Sequence, residues 1–296
     1  MMKQSQTIRR VFILGMDGAG NFVREAATPD LDAWLGRGAY TYFAQAELPT
    51  ISAECWGSVL HGVKPERHGL NNEKAAESAY PSDSPYPSLF RLVREREPDA
   101  KLASFTGWSP INSGIIEETL DVHKVSLPDA ELVPALLDYI DGNPDVRLLF
   151  LQLDEPDGSG HGHGYGADSP EYLAAIAKSS ERIGRVLARI EARGLAEDSL
   201  IVLLTDHGGG GADKYNHGSD HPMDRDVFWG VIGPGVKRGA LAGPVSITDT
   251  AAVAALALGL PVPEDWDAGL PDGLLDDGAW GGAGGGVAGD GVRAVA

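Results

Sequence analysis

Six aspartate and histidine side chains stand at points in the sequence from which they could act together as ligands for metal ions. They are Asp17, Asp157, His161, Asp206, His207 and His217. Carboxylate and imidazole ligands together suit Zn²⁺ or Mn²⁺ better than Ca²⁺ or Mg²⁺, which prefer oxygen ligands alone. The composition of the set therefore predicts divalent metal binding, with zinc as the best match and manganese as the alternative.

Each of these residues also has an ordinary structural explanation. An aspartate at the end of a strand is commonly a turn or cap residue, and surface loops are rich in aspartate and histidine. His163 and His221 are rivals for the places of His161 and His217, because the spacing alone does not separate them. The joint occurrence of the six residues in this order is what favours metal binding.

A hydroxyl group that could attack a substrate lies in the segment 49–62. Ser52 comes just before an apolar stripe that predicts a helix. A hydroxyl at a helix N-terminus sits in the positive end of the helix dipole, among N–H groups that suit a phosphoryl anion. An ordinary N-cap serine is the alternative, and Thr50 and Ser58 are competing hydroxyls. We expect Cys55 to be packed in the core, as free cysteines commonly are.

The elements that must position these residues alternate between strands and helices. Continuous apolar runs predict buried strands over residues 11–16, 146–153, 200–204 and 229–232. Apolar stripes and end signals predict helices over residues 28–35, 170–193 and 246–258. This alternation predicts an α/β fold with a mostly parallel central sheet that is flanked by helices on both faces.

Ligands of such sheets bind beyond the carboxyl ends of the strands. Asp17, Asp157 and Asp206 each follow one of the long apolar runs, so we expect the three carboxylates at that edge. Successive side chains on a strand point to opposite faces. Asp206 and His207 can therefore share one ion only if the chain turns there, and the four glycines that follow permit the turn.

The acidic balance of the chain limits its partners. Of its 296 residues, 43 are Asp or Glu and 24 are Lys or Arg, which gives a formal net charge of −19. Nonspecific binding to DNA, RNA or anionic membranes needs a basic face, so neither a nucleic acid polymer nor a membrane is an expected partner. One cysteine excludes a disulfide framework, and the apolar runs are too short to cross a bilayer. We expect a soluble, cytoplasmic protein.

In this order the motifs resemble those of the alkaline phosphatase superfamily, and most closely its type I phosphodiesterase/nucleotide pyrophosphatase branch. The matching segments are Gly15-Met-Asp-Gly18, Pro49-Thr-Ile-Ser52, Gly62-Val-Lys-Pro-Glu-Arg-His-Gly69, Glu155-Pro-Asp-Gly-Ser-Gly-His161, Asp206-His-Gly208 and Trp229-Gly-Val-Ile-Gly-Pro-Gly235. The resemblance runs from about residue 11 to residue 271 and implies an alkaline phosphatase-like fold.

The resemblance also implies a metal-dependent hydrolase of small phosphate esters that works through a phosphoserine intermediate. Ser52 would be the nucleophile, and Asn72, with Asn71 one residue away, would contact a phosphate oxygen. One metal ion would be bound by Asp157, His161 and His217. The other would be bound by Asp17, Asp206, His207 and the Ser52 oxygen. Two dications outweigh three carboxylates, so the pocket would carry net positive charge and could hold a phosphate.

The chain departs from this pattern in several places. Ser52 stands where the branch usually has threonine, and Glu54 and Cys55 stand where it often has Pro-Asn. The sulfatase motif Cys-x-Pro-x-Arg is absent, since Cys55 is followed by Trp-Gly-Ser-Val. A phosphomonoesterase, a phosphonate hydrolase or a phosphomutase on the same site, or a non-catalytic metal-stabilised binding protein, remain alternatives. The substrate, the metal and the oligomeric state are left open.

The domain prediction is one alkaline phosphatase-like catalytic domain over residues 1–271. Residues 272–296 are predicted to be a glycine-rich, disordered tail, because the last part of the chain has almost no apolar periodicity. The segment 71–87, which is rich in Pro, Ser and Ala, is predicted to be a surface loop that could help to cover the site.

Overall fold

An eight-stranded sheet forms the middle of the molecule in the computed structural model, which describes residues 8–280. In chain order its strands are β1 Arg10–Met16, β2 Ala39–Gln45, β3 Leu102–Thr106, β4 His123–Ser126, β5 Leu148–Leu153, β6 Ser199–Thr205, β7 Asp226–Ile232 and β8 Gly239–Ala240. Across the sheet they lie in the order β4-β3-β5-β1-β6-β7-β2-β8. Only the pairings that β7 makes with β6 and β2 are antiparallel within the described sheet, so the predicted, mostly parallel sheet is confirmed.

Helices cover both faces of the sheet. In chain order they are α1 Pro29–Leu35, α2 Ser52–His61, α3 Pro65–His68, α4 Asn72–Glu77, α5 Leu89–Arg96, α6 Asp129–Gly142, α7 Glu155–His163, α8 Pro170–Ala192, α9 Pro222–Arg225 and α10 Asp249–Ala257. Helices α2, α5 and α10 pack on one face of the sheet, and α1, α6 and α8 pack on the other. Among residues 8–280, no helix combines the length and the apolar composition needed to cross a membrane.

Two hydrophobic cores result from the alternation of side chains along the strands. Val11 and Ile13 of β1 face the core that contains α2, whereas Phe12 and Leu14 face the core that contains α8. All four side chains are fully buried. A parallel strand that is covered on both faces has an apolar residue at nearly every position. This is why the long strands could be located from continuous apolar runs.

The central strand β1 lies between β5 and β6, and the three strands end at the same level. Met16 pairs with Leu153 on one side and with Thr205 on the other. The chain segments that follow therefore leave the sheet side by side: Asp17 after β1, helix α7 after β5 and Asp206 after β6. The register of three neighbouring strands is thus what brings distant parts of the sequence to one place.

Several predicted boundaries differ from the structure. Helix α8 ends at Ala192, one residue before the predicted end at residue 193. The strand predicted over residues 229–232 is the second half of β7. The last predicted helix, over residues 246–258, begins only at Asp249. The reason is a turn in which the Ser246 N–H donates to the Asp249 carboxylate at 2.9 Å, so the backbone enters the helix three residues later.

The segment 71–87 is not loop throughout, because it begins with α4. Asn71 is the N-cap of this helix and accepts the Lys74 N–H at 2.8 Å. At the other end of the chain, residues 272–280 pack against the domain, since Leu274 is fully buried. The packed part therefore extends beyond the predicted boundary at residue 271. The rest of the predicted tail, residues 281–296, lies outside the described residues.

Gly15 provides a test of the packing beneath the site. A Cβ atom at Gly15 would lie 2.4 Å from the Trp56 ring, which is fully buried. We expect Gly15→Ala to lower the free energy of unfolding by about 1–3 kcal/mol through overpacking, as measured by urea denaturation.

Gly142→Ala is the matched control, because nothing among residues 8–280 lies within 4 Å of its Cβ position at the end of α6. That substitution should be neutral or stabilising by about 0.5–1 kcal/mol. Equal effects of the two would contradict the packing argument.

Candidate metal centre and nucleophile

The inner group of candidate ligands consists of Asp17, Asp206 and His207, whose ligand atoms lie within 4.8 Å of one another. All three residues are buried. His207 Nε2 lies 3.5 Å from Asp17 Oδ1 and 3.3 Å from Asp206 Oδ2. Ser52 Oγ lies 3.2 Å from the same Nε2 atom and 3.4 Å from Asp17 Oδ1. The structure thus brings the hydroxyl predicted as nucleophile to the predicted ligands.

The outer group predicted from the sequence consists of Asp157, His161 and His217. In the structure the ligand atoms of Asp157, His207 and His217 lie within 4.8 Å of one another, and His161 lies beside this cluster, next to Asp157. Asp157 Oδ2 lies 3.3 Å from His161 Nε2, and Asp157 Oδ1 lies 3.7 Å from His217 Nε2. Asp157 and His161 stand four residues apart on α7, so they share one face of that helix. The His207 and His217 rings stack with their centroids 3.9 Å apart, so the two groups are adjacent. His161, whose side chain is 43% exposed, is the outermost member.

The three histidines are oriented in the same way. In each of them Nδ1 lies within hydrogen-bond distance of a backbone carbonyl oxygen. The pairs are His161 with Tyr215 at 2.8 Å, His207 with Gly208 at 2.8 Å and His217 with Thr50 at 2.7 Å. A carbonyl oxygen can only accept, so Nδ1 carries a proton in each ring and Nε2 is the nitrogen that faces the carboxylates. Metal-binding histidines are commonly held in this way.

The buried carboxylates have one oxygen held by a protein donor and the other turned toward His207. Asp17 Oδ2 accepts the indole N–H of Trp56 at 2.7 Å and the Gln152 amide at 2.9 Å. Asp206 Oδ1 accepts the Gly18 N–H at 3.0 Å, whereas its buried Oδ2 has no hydrogen-bond partner in the described part of the chain. A buried oxygen without a donor is costly, and a cation at this point would satisfy it. The donor set therefore fits a metal ion.

The protonation states agree with this reading. Burial, together with the repulsion from neighbouring carboxylates, raises the pKa of Asp17 well above its usual value and raises the pKa of Asp206 to about 8. Burial lowers the pKa of His207, and burial with the nearby His207 ring lowers the pKa of His217 to about 4. Both rings are therefore neutral at pH 7, as ligands must be. The crowded carboxylates, by contrast, favour a proton or a cation.

The Asp157–His161 pair behaves differently because its two members are hydrogen-bonded to each other. The hydrogen bond from His161 to Asp157 raises the pKa of His161 to about 9. Burial alone would raise the pKa of Asp157, but the His161 hydrogen bond and the neighbouring rings outweigh it and lower this pKa. His161 would thus have to lose a proton before it could bind a metal through Nε2.

The two asparagines predicted as alternatives have different positions. Asn72 Oδ1 accepts the N–H of Ala53, the residue after Ser52, at 3.0 Å. Asn71 instead caps α4. The geometry therefore favours Asn72 as the asparagine beside the nucleophile segment.

The rival histidines and hydroxyls are engaged elsewhere. His221 caps α9, where its Nδ1 accepts the Met223 N–H at 3.1 Å. His163 is exposed at the end of α7, two residues past His161 and on a different face of the helix. The Thr50 hydroxyl donates to the Ser219 carbonyl at 2.9 Å.

The other two side chains singled out in the nucleophile segment are buried in α2. Ser58 Oγ lies 3.2 Å from His68 Nε2. Cys55 is a free, fully buried thiol, as expected. Burial raises its pKa well above the usual value, so it is not poised as a nucleophile.

Sequence reasoning missed three side chains that hold the carboxylates. The apolar stripe that predicts α2 includes Trp56 as a core residue, and the predicted site includes neither Gln152 nor Tyr165. Tyr165 donates its hydroxyl to Asp157 Oδ1 at 2.6 Å. Gln152 carried a signal, because it is the one polar residue of β5. A buried polar side chain needs a partner, and here the partner is Asp17.

The comparison with known families is decisive at this point. The family model described as type I phosphodiesterase / nucleotide pyrophosphatase matches residues 11–224. The chain belongs to this family. It is 26% identical over 217 residues to the mouse ectonucleotide pyrophosphatase/phosphodiesterase family member 1. The match covers 68% of this chain but only 24% of the mouse protein, so the chain spans about a quarter of its relative.

Solved structures confirm the alkaline phosphatase-like fold. An inactive variant of murine ectonucleotide pyrophosphatase/phosphodiesterase 5 in complex with AMP superposes with a TM-score of 0.69 at 13% identity, covering 88% of this chain and 97% of that one. A Bacteroides fragilis protein assigned as a sulfatase gives a TM-score of 0.70 at 14% identity. The superposition covers 94% of this chain and 80% of that one. At these identities the likeness concerns the fold alone.

The crowded carboxylates predict a pH dependence for the stability of the metal-free protein. The pKa of Asp206 is raised from 3.8 to about 8, so between these values the folded protein holds a proton that the unfolded chain releases. The free energy of unfolding of chelator-treated protein should therefore fall as the pH rises from about 5 to about 8, by an amount on the order of a few kcal/mol. Urea denaturation at several pH values measures it.

The control for this experiment is Asp206→Asn, which removes one of the two titrating carboxyls and should make the dependence shallower, while Asp17 continues to titrate. Zn²⁺ should reverse the fall in the wild type, because a cation favours the ionised carboxylates. A metal-free wild type whose stability is the same at both ends of this pH range would show that the carboxylates are not crowded as described.

Proposed function

We propose that the chain is a metal-dependent hydrolase of phosphodiesters in which Ser52 is the nucleophile. The observation that carries the proposal is the position of the Ser52 hydroxyl beside His207 and Asp17, at 3.2 and 3.4 Å. Membership of the type I phosphodiesterase / nucleotide pyrophosphatase family supports the reaction class. The name of the mouse relative, a nucleotide pyrophosphatase/phosphodiesterase, supports it as well.

Two divalent cations would be held by the two groups of ligands. The inner group, with the Ser52 oxygen, would bind one cation, and the outer group would bind the other. The mixture of carboxylates and imidazoles matches zinc best, with manganese as the alternative. When bound, the cations would supply positive charge that lowers the pKa of the Ser52 hydroxyl and stabilises charge on the phosphate and leaving oxygens.

Ser52, the first residue of α2, would act as the nucleophile. Its hydroxyl loses its proton and Oγ forms a bond to phosphorus, while the bond from phosphorus to the leaving oxygen breaks and that oxygen takes up a proton, which gives a phosphoserine and the leaving alcohol. Water then hydrolyses the phosphoserine and restores the hydroxyl. The first turn of α2 directs its N–H groups and the positive end of its dipole toward this point, which favours the negative charge of the phosphoryl group.

Asn72 would hold a nonbridging phosphate oxygen. Its Oδ1 must face the Ala53 N–H that it accepts, so the amide orientation is fixed by chemistry. The Nδ2 group then points the other way and serves as a donor. Asn72 is exposed, so a substrate can reach it. A donor placed in this way contributes most when charge develops on the oxygen in the transition state.

The substrate would be a small phosphodiester or pyrophosphate. The AMP complex of the murine family member 5 supports a nucleotide-like ligand for a fold of this kind. The net charge of −19 argues against a nucleic acid polymer. The cytoplasmic location expected from the composition stays a prediction.

Ser52→Ala tests the nucleophile. We expect kcat on bis-p-nitrophenyl phosphate to fall by at least about 10³-fold, because no other group can form the covalent intermediate. The variant should still bind two zinc ions, since the six aspartate and histidine ligands remain. Near-normal turnover by this variant would reject the assignment.

Ser58→Ala is the matched control, since Ser58 lies in the same helix but bonds with His68. It should retain wild-type turnover. A wild-type enzyme that cleaves the p-nitrophenyl monoester faster than the diester would replace the diesterase with a phosphomonoesterase. Bound zinc without turnover of either ester would favour a binding protein.

A further inference from the structure

We propose that Tyr165 is a positioning residue that fixes the Asp157 carboxylate for the outer metal ion. Tyr165 donates its hydroxyl to Asp157 Oδ1 at 2.6 Å and is only 1% exposed. This inference rests on the proposed function, because it takes the outer group to be a metal site. Tyr165 itself would touch neither metal nor substrate.

The fold reserves space for the Tyr165 ring. A Cβ atom at Gly160 would lie 2.2 Å from the ring, and one at Gly209 would lie 2.6 Å from it. The ring also makes edge contacts with Tyr172 and His161, with centroids 5.3 and 5.5 Å apart. Glycines on α7 and on the segment after β6 thus let the ring approach, and the neighbouring rings hold it in place. The hydroxyl therefore has a fixed position.

A fixed hydroxyl determines which way the carboxylate faces. Oδ1 of Asp157 accepts from Tyr165, while Oδ2 lies 3.3 Å from His161 Nε2. Without the hydroxyl, the carboxylate would be free to turn about its Cβ–Cγ bond, so that neither oxygen kept its place beside His161 and His217. Asp17 is likewise held in place by donors, here Trp56 and Gln152 on its Oδ2 atom. Partners of this kind around metal ligands typically contribute a factor of 10–100 in metal affinity.

The two tyrosines of this cluster allow a matched comparison. Tyr172 is also fully buried and in contact with Tyr165, but its hydroxyl donates to the Gly18 carbonyl oxygen at 2.6 Å. Tyr165→Phe and Tyr172→Phe therefore remove one buried hydroxyl each from the same aromatic cluster. Circular dichroism and thermal unfolding would establish that both variants are folded.

Zinc binding to the chelator-treated, full-length chain tests the proposal by calorimetric titration. We expect the wild type to bind two zinc ions, and Tyr165→Phe to weaken one of the two events by about 10–100-fold while the other is unchanged. Tyr172→Phe should leave both affinities at wild-type values. Activity of Tyr165→Phe on the diester should recover as zinc is raised.

Two results would overturn the proposal. One is wild-type affinity for both ions in Tyr165→Phe, which would reduce Tyr165 to a packing role. The other is an equal weakening of both events in both tyrosine variants, which would indicate general structural damage. Failure of the proposed function gives a different result. A wild type that binds two zinc ions but cleaves no phosphodiester would reject the proposed hydrolase activity. Selective weakening of one zinc-binding event in Tyr165→Phe would still support the positioning role in that case.

Discussion

The mutual repulsion of three carboxylates is the physical constraint on which the rest of this structure depends. Asp17 and Asp206 are fully buried beside the largely buried Asp157. Like charges at such distances repel strongly where water is excluded. Hydrogen-bond donors on the outer sides of the carboxylates offset part of this cost. The remaining oxygens face the imidazoles, where cations would offset the rest of the repulsion.

Helix α2 links Ser52, the proposed nucleophile, to the same carboxylates. Ser52 and Trp56 stand four residues apart on α2, so they share one face of the helix. The hydroxyl of Ser52 faces one oxygen of Asp17, and the indole of Trp56 donates to the other. A shift of α2 would therefore disturb the nucleophile and the inner ligand together. Because Gly15 has no side chain, the Trp56 ring can pack directly against β1, and this contact sets the distance between α2 and the sheet.

The sequence was sufficient to predict the fold class and to predict that the candidate ligands after the strands lie close together. Buried parallel strands are visible as apolar runs, and the polar residues after them must meet at one edge. The alternatives at His161 and His163 could not be separated, because α7 was not predicted. Its glycines at 158, 160 and 162 disfavour helix, and only the structure shows that the Tyr165 ring needs the space at residue 160.

The partners of the ligands were beyond the reach of sequence reasoning for a related reason. Trp56 and Tyr165 have the composition of ordinary core residues, and their polar ends acquire a role only through contacts with Asp17 and Asp157. Asn71 and Asn72 likewise became distinguishable only once α4 was known to begin between them. Long-range packing, which local patterns do not encode, decides each of these cases.

Anomalous diffraction at the zinc edge, from crystals grown with zinc, tests the central claim most directly. Our account predicts two peaks beside Ser52, one contacting the inner group and one contacting the outer group. Peaks at other sites only, or no peak beside Ser52, would contradict it.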